Sequence, residues 1–338
     1  METVTLACRA MNTRFELVLH GSNAASLRAA GEEALREVER LEAQLSLFRP
    51  GSDIARVNAL AAREPVRVSP ETFALLEHAQ RLSAETGGAF DITMAPLLHC
   101  WGLLGSNEGR MPTGEEIAAA RAACGMGLVQ LDPANFTIRF ARGGAMLDLG
   151  AIGKGYAVDK AAESLRENGV ASALIHGGTS TVFAIGAPPD AEAWKIAIEL
   201  TEHIAPKAGR VTPCAGLGGS ANDSAHGLTR PTIELRDESL SVSAVSGKCF
   251  VSNGRMLGHI IDPRTGEPAS RAVLAAVVLP SATETDALST ALLVLGLDGL
   301  ALINALRPTL RSLVAGPDNA GTLRINGRGI EPNARPGV

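Results

Sequence analysis

Residues able to do chemistry gather in three short stretches of this 338-residue chain. The densest is Asp148-Leu149-Gly150-Ala151-Ile152-Gly153-Lys154-Gly155-Tyr156-Ala157-Val158-Asp159. Three glycines and a lysine there sit between an expected strand and an expected helix. Backbone N–H groups freed at such a turn, with a helix N-terminus, attract phosphate, and Lys154 adds a point charge. It is not a P-loop, which needs glycine where Asp148 stands and Ser or Thr where Gly155 stands. Without phosphate, the same residues read as a tight strand-to-helix turn with a surface lysine. The second stretch, His259-Ile260-Ile261-Asp262-Pro263-Arg264-Thr265-Gly266, places an imidazole and a carboxylate at an expected strand end. His259 suits a general base or a phosphate donor; a lone histidine also serves as a structural group. In the third, Thr285-Asp286-Ala287-Leu288-Ser289-Thr290, Asp286 and Thr290 lie four apart on an expected helix and share a face. A carboxylate and a hydroxyl are hard ligands suited to Mg²⁺. The plainer alternative is capping by Thr283 or Thr285, with Asp286 favoured in the first turn by the helix dipole.

Other elements must position these stretches. Alternating or continuous apolar runs predict strands over 4–8 and 14–19. Helical spacing predicts a helix from 25 to about 46, capped by Ser22 and ended by Pro50-Gly51, and another over 70–85, capped by Ser69. Gly87-Gly88 stops the latter, and Gly88-Ala89-Phe90-Asp91 after it reads as a helix cap with a buried ring. Residues 112–124 predict a helix. Strands follow at 128–131 and 137–140, joined by Asp132-Pro133-Ala134-Asn135, and a short one at 145–147 leads into the glycine turn. A helix over about 155–168 precedes strands at 172–176, 181–186, 232–235, 240–244, 258–261 and 272–279. Helices from about 283 and 298 and two short strands close the chain. Hairpins mixed with helices, without regular βαβ alternation, argue for an α+β (mixed α/β) architecture. One domain over 1–330, with closely packed lobes, a long loop at about 202–230 and a flexible tail at 331–338, fits the length.

Composition removes several function classes. The chain is 46% apolar and 20% charged, which rules out disorder over most of its length. Its net charge of −5 gives no basic field for nucleic acid, and the 3% aromatic content gives no base-stacking platform. Uninterrupted apolar runs such as 272–280 fall short of the roughly twenty residues of a membrane helix, so no spanning segment is expected. Five cysteines, an odd number without close pairs, exclude a full disulfide framework and a CxxC zinc site. They suit a reducing compartment. With no basic start ahead of a long apolar core, the expected location is cytoplasmic.

Taken in order, these segments resemble the FAD:protein FMN transferases, the ApbE-like proteins, over nearly the whole chain from Met11-Asn12-Thr13 to Thr290. Leu45-Ser46-Leu47-Phe48 and His99-Cys100-Trp101-Gly102 support the resemblance. It implies a two-lobed α+β fold, mixed sheets flanked by helices, holding FAD between the lobes. It also implies Mg²⁺-dependent transfer of the FMN half of FAD onto a Thr or Ser hydroxyl of an acceptor protein, with release of AMP. Carried over by motif, Met11, Phe48, Ala89, Phe90 and Asp91 would line the flavin and adenine sites. Asp148, Lys154 and the backbone near Ile260 would contact FAD. The carbonyl of Ala151 with Asp286, Ser289 and Thr290 would approach Mg²⁺, and His259 would act with Lys154 and Asp286 in catalysis. The chain departs from the family pattern at Asn12 (commonly Gly), at Gly153 (commonly Ala), at His176-Gly177-Gly178-Thr179 (often Asn-x-Gly-Gly-Asp) and at Val245-Ser246-Gly247-Lys248-Cys249. Two other readings of the same residues stay open: hydrolysis of FAD to FMN and AMP, and FAD binding without turnover.

Overall fold

The computed structural model describes residues 1–105, 109–198, 211–213, 231–245, 249–252 and 255–330. Phe15, Leu17 and Leu19 are fully buried and the residues between them are not. That alternation builds a strand with one face on the core. It belongs to the hairpin of β1 (Glu2–Ala10) and β2 (Thr13–Gly21). The hairpin turns on Met11 and Asn12, with φ of 50° and 57°. A two-residue turn of this hand demands positive φ at both positions, and Asn tolerates it better than most residues. Asn12 is therefore compatible with the turn. The strain at Met11 is held by its N–H, which donates to Glu42 Oε1 at 2.8 Å.

The 22-residue helix α1 (Ala24–Leu45) follows, buried along Leu27, Ala34, Leu35, Val38 and Leu41. Its cap is Asn23, not Ser22. The Asn23 carboxamide reaches the N–H groups of Ala25 and Ser26, and the helix ends at Leu45, short of Pro50. Next come α2 (Asp53–Leu60), β3 (Val66–Arg67) and α3 (Pro70–Glu85), the last capped by Ser69 as expected. The short α4 (Ala95–Cys100) precedes α5 (Gly114–Arg121), which opens with a capping box between Thr113 and Glu116. The hairpin of β4 (Val129–Asp132) and β5 (Thr137–Phe140) appears as expected. No strand forms at 145–147. Instead the Asn58 side chain stands in for a neighbouring strand, accepting from Leu147 N–H at 2.7 Å and donating to Leu147 O at 2.9 Å.

The helix α6 (Gly153–Glu167) leads to β6 (Ser172–Gly177) and β7 (Thr181–Ile185). The strands β8 (Trp194–Ile198), β9 (Val211–Pro213), β10 (Thr232–Leu235) and β11 (Glu238–Ala244) come next. Most of the loop expected at 202–230, and the tail expected at 331–338, lie outside the described residues. A hairpin of β12 (Cys249–Ser252) and β13 (Arg255–Gly258) ends where a strand over 258–261 was expected. Beyond it, Ile261 makes only a single bridge to Pro268, because the chain turns back at Asp262, whose N–H donates to Glu267 O. Then come β14 (Leu274–Leu279), α7 (Ala282–Leu295), a 3₁₀ turn at 296–299, α8 (Leu300–Leu306), β15 (Arg311–Pro317) and β16 (Leu323–Arg328).

Eight strands form one sheet in the order β1-β2-β6-β7-β11-β14-β15-β16, each neighbour antiparallel. One face, lined by Leu17, Leu19, Ile175, Phe183 and Val277, carries α1, α6 and α7 and is continuous with the core around α2, α3 and the β3-β5-β4 sheet. The other face, lined by Leu174, Val182, Leu240, Val242 and Val278, packs against Trp194, Ile196, Ile233 and Leu235 of the three-stranded sheet β10-β8-β9. This is the expected α+β class. Against the expectation that no segment could span a membrane, the helical run Ala282–Leu306 is long and apolar enough by length and composition. Most of it is buried on the sheet, as a core helix is.

Candidate functional site

The site is built where α6 crosses α7. Gly155 and Asp159 lie one turn apart on the same face of α6, and both meet α7. A Cβ on Gly155 would lie 2.1 Å from Ala282 O and 2.8 Å from Asp286 Cβ. Only a residue without a side chain lets the two backbones approach this closely. Asp159 then seals the start of α7. Its carboxylate accepts from the N–H groups of Ala282 (2.7 Å) and Thr283 (2.9 Å) and from the hydroxyls of Ser281 (2.9 Å) and Thr283 (2.6 Å). Burial raises the pKa of Asp159, and these donors counter it. The N-cap of α7 is Ser281, whose hydroxyl accepts from Glu284 N–H, not Thr283 or Thr285. The Thr285 hydroxyl turns back to Ala282 O.

With α7 anchored this way, Asp286 faces the first turn of α6. Its Oδ2 accepts from Gly155 N–H at 3.0 Å and lies 3.4 Å from Lys154 Nζ, which also donates to Gly150 O at 3.0 Å. Asp286 is 4% exposed, so it is a buried carboxylate held by one cation and one helix-terminal amide. One turn on, the hydroxyls of Ser289 and Thr290 both donate to Asp286 O at 3.1 Å. Ala151 is half-buried in the turn before α6. Among the described residues, no group of three His, Cys, Asp or Glu could hold a metal ion. A cation at Asp286 would thus have one carboxylate and otherwise neutral oxygens. That donor set fits Mg²⁺, which binds few protein carboxylates and keeps substrate oxygens and waters.

The remaining sequence candidates fall into two groups. Asp148, Asp91 and the Met11–Thr13 turn lie along the segments that flank this crossing. Asp148 N–H donates to Ile92 O at 2.7 Å, which brings residues 89–93 beside the glycine turn, while Asp148 Oδ1 accepts from Gly150 N–H at 2.6 Å. The Asp91 carboxylate accepts from Thr93 N–H (2.7 Å), Thr93 Oγ1 (2.5 Å) and Met126 N–H (3.2 Å). Its pKa is raised by burial, against these bonds. The end of β6 lies between the Met11–Thr13 turn and α6: a Cβ on Gly178 would meet Thr13 Oγ1 at 2.5 Å, and one on Gly177 would meet Val158 Cγ2 at 2.7 Å.

The other group lies in the main core or on other segments of the chain. Phe90 is 1% exposed and Ala89 is equally buried, both in the main core, so the Phe90 ring has no open face for a ligand. Phe48 is 63% exposed and lies near Gly105. His259 follows β13 in a bend, half-buried, and Ile260 O accepts from Ala269 N–H at 2.8 Å. The Asp262 carboxylate is clamped by Arg264 at 2.9 and 2.7 Å, and Trp101 Nε1 donates to Gly266 O at 2.8 Å, which docks the whole turn. The Ser246-Gly247-Lys248 stretch lies outside the described residues.

Sequence reasoning assigned no role to Gly155 and Asp159 beyond the motif they belong to. The four-residue spacing between them was the available signal. Asn58 gave none, because its partner is 89 residues away.

Comparison with known proteins bears on the same segments. A family model described as the ApbE family matches residues 11–314. The FAD:protein FMN transferase of Treponema pallidum (strain Nichols) is 30% identical over 304 residues, covering 87% of this chain and 79% of its own length. That of Vibrio cholerae is 28% identical, covering 90% and 85%. Among solved structures, the ApbE protein of Thermotoga maritima superposes with a TM-score of 0.80 at 26% identity, over 96% of each chain. The apo flavinyl transferase ApbE of Pseudomonas stutzeri superposes with a TM-score of 0.79 at 28% identity, over 97% of this chain and 95% of that one.

Proposed function

The chain belongs to the ApbE family and is an FAD:protein FMN transferase; on that premise we propose that the α6–α7 crossing is where the FAD diphosphate is bound and cleaved. The observation that carries this reading is the convergence of Lys154, the Gly155 amide and Asp286 at the glycine turn. Asp286, the hydroxyls of Ser289 and Thr290 and the carbonyl of Ala151 are the groups that would hold Mg²⁺. When bound, the ion supplies positive charge to the diphosphate oxygens, where charge builds as the bond breaks.

The protein's own groups do the rest. Lys154 and the N-terminus of α6 orient the diphosphate. A Thr or Ser oxygen of the acceptor bonds to the phosphorus of the FMN half as the bond from that phosphorus to the AMP oxygen breaks, and AMP leaves. The hydroxyl proton passes to a base, for which His259 is the candidate. Phosphoryl transfer of this kind depends on in-line positioning and charge neutralisation more than on covalent chemistry by the protein. This suits a site with one cationic side chain and a rigid backbone cradle.

The test is an incubation of the protein with FAD, Mg²⁺ and an acceptor protein, following AMP and covalently bound flavin fluorescence together. One AMP per flavin attached, with both dependent on Mg²⁺, is the expected result. AMP release that proceeds equally without acceptor would point to hydrolysis instead.

A further inference from the structure

The interface between α7 and the sheet is unusual in being lined by hydroxyls. Along β11 the side chains of Ser239, Ser241 and Ser243 point to the helical face, while Leu240, Val242 and Ala244 point the other way. Each serine finds a hydroxyl partner: Ser239 with Thr285 at 3.1 Å, Ser241 with Thr181 at 3.1 Å, and Ser243 with Ser289 at 2.9 Å and Thr290 at 3.3 Å. Buried hydroxyls are costly unless paired, and apolar side chains would pack the same space without that condition. The pairing therefore sets a register between strand and helix.

Ser243 differs from the other two in what it reaches: Ser239 also contacts Val182 O, and Ser241 meets a strand residue, whereas Ser243 meets two hydroxyls of the Asp286 turn. Ser289 and Thr290 each have one hydroxyl proton, and both are directed at Asp286 O. Ser243 Oγ lies within reach of both hydroxyls, closer to Ser289 Oγ at 2.9 Å than to Thr290 Oγ1 at 3.3 Å. Thr290 Oγ1 is shared between Asp286 O and Ser243, and as a hydroxyl it keeps acceptor capacity for a cation. Ser289 and Thr290 end the turn that begins at Asp286, so Ser243 ties the far end of that turn to the sheet, as Gly155 ties the near end to α6.

We propose that Ser243 is a positioning residue for the Mg²⁺ site: it fixes the rotation of the Asp286–Thr290 turn so that carboxylate and hydroxyl face the glycine bend together. This rests on the Mg²⁺ reading above. Ser243 itself touches neither ion nor FAD in this account. It acts as outer-shell partners of ligands do, where substitution typically weakens metal affinity by about 10–100-fold.

The test uses Mn²⁺ as the probe, with free ion read by electron paramagnetic resonance on the full chain saturated with FAD. Ser243→Ala is expected to weaken Mn²⁺ binding about tenfold and to raise the Mg²⁺ concentration for half-maximal turnover in parallel, while kcat at saturating Mg²⁺ stays near that of the parent. Ser243→Thr, which keeps the hydroxyl, is expected to recover affinity. Should the alanine variant fail to fold, Ser243→Cys, a near-isosteric and weaker donor, carries the same comparison. Parent-like Mn²⁺ affinity in Ser243→Ala, alongside loss of binding in Asp286→Ala, overturns the proposal and leaves the metal reading standing. Equal loss in the alanine and threonine variants also overturns it, since packing then explains the effect. Intact binding in Asp286→Ala overturns the metal reading and this proposal with it.

Discussion

The two faces of the eight-stranded sheet follow different rules. Toward β10-β8-β9 the contact is hydrocarbon: Leu174, Val182, Leu240, Val242 and Val278 meet Trp194, Ile196 and Ile233. Toward α7 the same strands present Thr181, Ser239, Ser241 and Ser243, and behind them lie buried Asp286 and half-buried Asp159. One strand, β11, contributes to both faces by alternation alone. The apolar face supplies adhesion without direction, because burial free energy scales with area. The hydroxyl-lined face supplies direction, because a hydrogen bond fails when its partner moves by an ångström. The chain thus separates the face that holds the fold together from the face that aims the site.

Substitutions can break that division, and the largest effect is expected at the site. Asp286→Asn keeps an acceptor for the Gly155 amide but removes the charge; transferase activity should fall about 10²–10³-fold, with the melting temperature nearly unchanged. A calorimetric scan beside the AMP assay checks both halves. On the other face, Leu240→Ala should cost about 2–5 kcal/mol of stability in urea unfolding and leave the kcat of the folded protein intact. A kcat loss there would mean the faces are not separate. Gly155→Ala sits between the two: crowding against Ala282 O should cost about 1–3 kcal/mol and lower activity as well, because the clash displaces Asp286.

The smallest effect tests a buried polar residue on the apolar face. His176 lies on the Leu174 side of β6, 8% exposed, and its Nε2 has no hydrogen-bond partner. Burial lowers its pKa, with the Glu16 carboxylate opposing. A histidine whose folded pKa is depressed contributes stability above its unfolded value of about 6.5 and loses it as pH falls through the folded pKa. His176→Leu should therefore change stability by less than about 1 kcal/mol at pH 8 and flatten the decline of melting temperature below pH 6.5. Thermal scans from pH 5 to 8 decide it; an unchanged slope would exclude His176 as its source.

What could be read from the sequence follows the range of the forces involved. Period-two burial in β2 and the helical stripe of α1 are local, and both elements were legible. So was the Asp286–Thr290 spacing, because one helical turn brings the two together whatever the rest of the chain does. The Phe90 ring is buried in the core, as its reading as a helix cap with a buried ring expected; an aromatic after a glycine pair serves equally well in a core or at a ligand. The strand expected at 145–147 and the unforeseen α2 share a cause. Asp53 in α2 accepts from Ser69 N–H and Thr72 Oγ1, and Asn58 in α2 holds Leu147. Such bonds between distant side chains and backbone leave no periodic trace. The register of α7 against β11 was hidden for the same reason.

The Asn58 clamp on Leu147 has one more consequence. The peptide feeding the catalytic bend is held by the Asn58 carboxamide at Leu147 and by one backbone bond from Asp148 N–H to Ile92 O, instead of being zipped along a ladder. Shortening that one side chain would let the bend drift while every strand keeps its neighbours, which makes position 58 a tuning screw for substrate geometry, remote from the chemistry and independent of the framework.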